Sequence, residues 1–102
     1  MSMTIATGRL MGDPEVRYTQ DEKPVAHFRI AVDGKENFIS CMAEGGLAKI
    51  CGEYLTKGRL VAVEGVIKTR PGINKSGKRR KVTEMVVKQL QMLDFRKDKE
   101  VR

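Results

Sequence analysis

The chain is 102 residues long, 40% hydrophobic and 32% charged, which is the composition of one soluble globular domain with a single modest core. Its longest unbroken apolar run is Leu60-Val61-Ala62-Val63, far short of the about 20 residues that span a bilayer. The N-terminus has no basic stretch followed by an apolar block, so the expected compartment is the cytoplasm.

Residues 3–12 alternate loosely between glycines and read as a first strand. Asp13-Pro14-Glu15 marks a turn, Val16 to Thr19 a short strand, and Asp21 to Pro24 a loop. From Val25 to Val32 the alternation is regular. Ala26, Phe28, Ile30 and Val32 lie on one face and Val25, His27, Arg29 and Ala31 on the other, as in a half-buried strand. Asp33-Gly34 is a hairpin signal, and Asn37 to Ala43 reads as the next strand. After Gly45-Gly46, the residues Leu47, Ile50, Cys51, Tyr54 and Leu55 recur at helical spacing, and Lys57-Gly58 reads as the helix C-terminus. Residues 59–68 are rich in β-branched side chains and read as a central strand, with Gly65 marking a bulge or bend. Val82 to Phe95 fits either a helix or a strand by periodicity; pairing back onto the preceding strand favours a strand. Residues 1–95 thus form one domain, and 96–102 a short polar tail.

Catalytic and metal chemistry find little to work with. There are two cysteines, Cys41 and Cys51, and one histidine, His27. A structural zinc site needs four soft or imidazole ligands, and a hydrolytic site needs a base beside its nucleophile. The cysteines read as small buried apolar residues and His27 as the solvent side of a strand. The expectation is a non-enzymatic protein without metal or cofactor.

Charge carries more information. Lys and Arg number 20 against 13 Asp and Glu, a formal net charge of +7. From Lys68 to Lys81 there are seven basic residues and no acid: Lys68, Arg70, Lys75, Lys78, Arg79, Arg80 and Lys81. Outside this run basic and acidic residues balance at 13 each. Pro71-Gly72 and Lys75-Ser76-Gly77 add turn chemistry. The run therefore reads as a projecting basic hairpin suited to a polyanion, nucleic-acid phosphate being the commonest.

With the short Val16–Thr19 segment left out of the count, three strands, a helix and two strands make an all-β domain, an OB-fold. That fold is a five-stranded Greek-key barrel with one helix between strands 3 and 4, here with the projecting basic hairpin. Gly8, Gly12 and Gly65 are the candidate bends.

At this point the blocks resemble the bacterial single-stranded DNA-binding protein family. Gly8-Arg9-Leu10 with Asp13-Pro14-Glu15-Val16-Arg17-Tyr18-Thr19 is similar to its N-terminal signature. Val25 to Val32 resembles its second-strand block, and Leu47-Ala48 through Tyr54-Leu55-Thr56-Lys57-Gly58 its helix. Val63-Glu64-Gly65, Thr69-Arg70 and Thr83-Glu84-Met85-Val86-Val87 resemble its closing strand–hairpin–strand. The resemblance implies coating of single-stranded DNA with little sequence preference, in replication, recombination or repair. It also implies a nucleoid-associated location, self-association as a homotetramer or else a homodimer with the first strand as an edge, and replication or recombination proteins as further partners. Two alternatives stand beside it: a dimeric primosome accessory paralogue that binds single strands and a helicase, and a protein-interaction module that docks an acidic partner.

The sequence departs from the family pattern in four places. Phe38 matches a stacking position, but Glu44 and Gly72 stand where aromatics are common. The loop before the third strand is short, and residues 94–102 carry mixed charge rather than an acidic tip. The expected DNA contacts are Arg9, Arg17, Tyr18, Arg29, Phe38, Lys57, Lys68, Arg70, Lys75, Lys78, Arg79, Arg80 and Lys81. Phe28 and Tyr54 are expected in the core, while Tyr18 stands open between core and site.

Overall fold

A computed structural model describes residues 2–32 and 37–94. The Asp33-Gly34 hairpin signal, Phe95 and the 96–102 tail lie outside the described residues. The element order is β1 (Thr4–Leu10), β2 (Glu15–Tyr18), β3 (Pro24–Val32), β4 (Asn37–Glu44), α1 (Gly46–Tyr54), β5 (Leu60–Ile73) and β6 (Arg79–Met92). Among the described residues the domain is all-β and OB-fold-like, with six strands rather than five. Glu15–Tyr18 pairs along β3 as a strand of its own, so the helix falls between β4 and β5. No helix among the described residues is long and apolar enough to cross a membrane.

The sheet order is β1-β5-β6-β4-β3-β2. A further β1–β3 pairing, Arg9 with Ala31 and Leu10 with Ile30, lets neighbours be followed from β1 through β5, β6, β4 and β3 back to β1. Among the described residues only β4–β6 is parallel; the other pairs are antiparallel.

The period-2 alternation sorts side chains cleanly. Ala26, Phe28 and Ile30 of β3, Cys41 and Ala43 of β4, Val61 and Val63 of β5, and Met85 and Val87 of β6 are buried in one core. Each large side chain removed from water contributes about 1.5–3 kcal/mol. Both cysteines are buried, as expected. Burial, with the neighbouring Cys51 and Glu84, pushes the Cys41 thiol up to about 12; burial pushes Cys51 up to about 11.

Two glycines permit the tight curvature. A Cβ at Gly8 would stand 2.1 Å from the Ala31 carbonyl oxygen, and one at Gly65 2.1 Å from that of Val86. Gly65 also sits at the β5–β6 register shift, where Glu64 faces Gln89 but Gly65 faces Val87, leaving Lys88 as the extra residue of the bulge. Gly12 lies in a bend with open space around it, so no close approach demands glycine there.

The helix departs from expectation in its buried face and its end. Ala48, Cys51 and Leu55 are buried, whereas Ile50 and Tyr54 are exposed, Tyr54 at 52%. Small residues face the sheet because α1 lies close to it: a Cβ at Gly52 would be 2.9 Å from Val16 Cγ2. The helix ends at Tyr54, with Leu55 extended and its N–H donating to the Cys51 carbonyl. Lys57-Gly58 therefore belongs to the following turn.

Candidate nucleic-acid interface

The outward residues of β3 and β4 form the floor of the candidate surface. Ala31 faces Phe38, Arg29 faces Ser40, His27 faces Met42 and Val25 faces Glu44. Phe38 is 52% exposed. The Arg29 guanidinium stands 5.3 Å from the centroid of its ring. This cation–π contact holds a cation over the ring of an exposed aromatic residue.

The surface continues across β6 to the hairpin through Glu84. His27 Nδ1 lies 3.4 Å from Glu84 Oε2, and Arg70 Nε lies 3.9 Å from Glu84 Oε1. His27 is on the solvent side as expected, and Glu84 is the partner that sequence reasoning did not single out. The signal available was the acid three residues past the basic run, opposite Lys68 in the hairpin register. Between the β1–β2 connection and this floor runs a groove of about 340 Å³, lined by Asp13, Glu15, His27, Arg29, Ser40 and Glu84 among others.

The hairpin itself is longer and straighter than its sequence suggests. Pro71-Gly72 does not turn the chain; Pro71 pairs with Lys81 and Gly72 with Arg80 inside the ladder. The reversal lies at residues 74–78, organised by Asn74. Its Oδ1 accepts the N–H groups of Ser76 and Lys78 at 2.9 Å each, and its backbone N–H donates to the Lys78 carbonyl at 2.9 Å. The ladder also keeps like charges apart. Arg79, Arg80 and Lys81 face Ile73, Gly72 and Pro71, and Lys68 faces Glu84, so no two cations stand directly opposite.

The other expected contacts are scattered. Arg9 donates to the Gly58 carbonyl at 2.9 Å and pairs with Asp94 at 3.3 Å. Lys57 donates its backbone N–H to Asp13 Oδ1 at 2.8 Å. Together Arg9 and Lys57 line a separate groove of about 690 Å³ with Leu10, Ala31, Val32 and Leu60. Arg17 is engaged by Glu15 at 3.1 Å. Tyr18 is 65% exposed rather than core. It lies on the Val16 side of β2, beside Ala48, Lys49, Gly52 and Glu53 of the helix, away from Phe38. Among the described residues no cluster of three or more His, Cys, Asp or Glu could hold a metal ion.

A family model described as the single-strand binding protein family matches residues 1–93. The chain belongs to that family. Curated relatives in the family include the single-stranded DNA-binding protein of Caldanaerobacter subterraneus, 40% identical over 92% of this chain and 69% of its own length. The single-stranded DNA-binding protein 1 of Xylella fastidiosa is 34% identical over 89% of this chain and 76% of its own. The single-stranded DNA-binding protein of Lactiplantibacillus plantarum is 38% identical over 98% of this chain; only 54% of that relative is covered. Against the family pattern, Glu44 is exposed at the end of β4, and Gly72 lies on the hairpin face that carries Arg70.

Proposed function

We propose that this protein binds and coats single-stranded DNA with little sequence preference, in replication, recombination or repair. Residues 1–95 act as one domain, its six strands closing as a Greek-key barrel extended by the hairpin, with 96–102 as a polar extension. It self-associates as a homotetramer or homodimer. The observation that carries the reading is the continuity of one surface. The exposed Phe38 ring under Arg29 leads through Glu84 to Arg70 and a ribbon whose 68–81 run holds no acid. Phosphate contacts from the ribbon supply affinity without base information. A base stacked on Phe38 adds about 1–3 kcal/mol. Arg9, Arg17, Tyr18 and Lys57 serve as outlying contacts along a longer strand.

The test is a fluorescence-anisotropy titration against labelled oligothymidine, with duplex DNA and an acidic peptide as competitors. The expected order is single strand, then duplex, then peptide. Equal or tighter binding of duplex would leave only a generic basic protein, and displacement by the peptide would favour a protein-docking module.

A further inference from the structure

We propose that the β5–β6 hairpin is a two-sided ribbon that holds a separate single strand on each face, so that one protomer bridges two strands. The inference rests on the single-strand reading above and extends it from coating one strand to joining two.

Strand alternation sorts the basic run onto opposite faces. Lys68, Arg70 and Arg80 share the face that meets Glu84 and, through it, the Phe38 surface. Arg79 and Lys81 lie on the other face, across from Ile73 and Pro71. That second face follows on from Ile67 and Met85 and stands clear of the core: Ile73 is 74% exposed, and Pro71, Arg79 and Lys81 are exposed.

The two faces repeat one pattern. Each presents two cations at i and i+2 on one strand, Lys68 with Arg70 and Arg79 with Lys81. That spacing is about 6.8 Å along an extended strand, within reach of consecutive phosphates on an extended nucleic acid. The second face carries no acid: Thr69, Pro71, Ile73, Arg79, Lys81 and Thr83 make it up. Among the described residues neither Arg79 nor Lys81 has an ion-pair partner, whereas Arg70 leans on Glu84. A strand lying along the first face cannot place its phosphates on Arg79 and Lys81 through the ribbon. Those charges stay available for a second strand, whose bases meet the exposed Ile73 and Pro71. Two complementary strands held in this way would anneal faster than free strands.

The test counts strands per protomer. The full chain is saturated at low salt with oligothymidine of about ten nucleotides, within the site of a single OB-fold. Bound strands and protomers are then counted by native mass spectrometry. Thymidine runs cannot pair with one another, so any second strand is held by protein. The expected result is two strands per protomer for the natural chain and one for Arg79→Ser/Lys81→Ser, whose affinity for its remaining strand changes by less than about threefold. Lys68→Ser/Arg70→Ser should instead weaken the tighter site by about tenfold, having lost two phosphate contacts. One strand per protomer at saturation in the natural chain would overturn the inference and leave single-strand binding intact. So would a tenfold loss at the tighter site in the Arg79/Lys81 variant, because one strand would then be using both faces. No oligothymidine bound at all would overturn the single-strand reading itself.

Discussion

Gly72 offers a direct way to weigh stacking against charge. It lies on the ribbon face of Lys68 and Arg70, at the position the family resemblance marks as aromatic, and the chain contains no tryptophan. The structure says why tryptophan alone would not restore the stack. A Cβ at position 72 would stand 2.4 Å from Val82 Cγ2 but 3.6 Å from Val82 Cβ. The first distance is a clash with a stiff β-branched side chain; the second is ordinary contact. Relieving the clash shifts the strand or the indole at a cost of about 1–3 kcal/mol in folding stability, so the ring is not held where a base would stack on it. Gly72→Trp should therefore bind oligothymidine about as tightly as the natural chain. Val82→Ala removes Cγ2 and keeps Cβ, so Gly72→Trp/Val82→Ala should gain the full stack, about 5- to 150-fold in affinity. Val82→Ala alone should change affinity little. The new indole is the only one present, so quenching of its fluorescence reports binding directly, and anisotropy at several salt concentrations gives the slope. That slope should not change, because stacking releases few counterions. The reasoning fails if the single tryptophan variant gains as much as the double, or if the folded double variant gains nothing.

Three further outcomes follow from the same geometry. Phe38→Ala should weaken single-strand binding by about 1–3 kcal/mol with the salt slope unchanged; anisotropy at two salt concentrations checks both. The buried thiols, held near 12 and 11 against 9.0 for a free cysteine, stay protonated in the folded chain while the unfolded chain ionises. Their contribution to stability is full below about pH 9 and falls by about 1.4 kcal/mol per thiol per pH unit above it, visible in urea melts at pH 8 and 10 and absent from a Cys41→Ala/Cys51→Ala reference. Asp94 pairs with Arg59, whose side chain is only 12% exposed, and with Arg9, and it accepts the Leu60 N–H. Asp94→Ala should thus cost about 2 kcal/mol and lower Tm by about 10 °C, whereas Arg17→Ala, which breaks the exposed pair with Glu15, should leave Tm nearly unchanged.

The strands were legible because their alternation is strong. Ala26, Phe28 and Ile30 are buried, and His27 and Arg29 exposed, as the pattern alone predicts. Pairing settled the ambiguous last segment: β6 pairs with β5 from Arg79 to Met92, interrupted at the Lys88 bulge. The helix was harder to read because size outweighed hydrophobicity. A helix lying this close to the sheet turns Ala48 and Cys51 inward and leaves the bulkier Ile50 and Tyr54 in solvent. Pro71-Gly72 misled for a related reason. Proline and glycine punctuate turns, but in this ribbon glycine makes room for Val82, and the turn belongs to the Asn74 side chain. The basic run, Phe38 and Arg29 were visible as residue types. Their assembly through Glu84 depends on a parallel β4–β6 contact, Cys41 with Met85 and Met42 with Val86, between segments far apart in the chain. No local pattern encodes such a pairing.

The central claim, that a basic ribbon supplies most of the affinity for a single strand, is tested most directly by the salt dependence of binding. The measurement compares the natural chain with a variant carrying serine in place of Lys68, Arg70, Lys75, Lys78 and Arg80, the cations of the first face and the turn, each titrated with long oligothymidine over a range of salt. Each phosphate neutralised on a single strand contributes about −0.7 to the slope of log affinity against log salt, so the loss of about four contacts should flatten the slope by roughly 3. A variant that keeps the natural slope would contradict the account and place the phosphate contacts elsewhere on the domain.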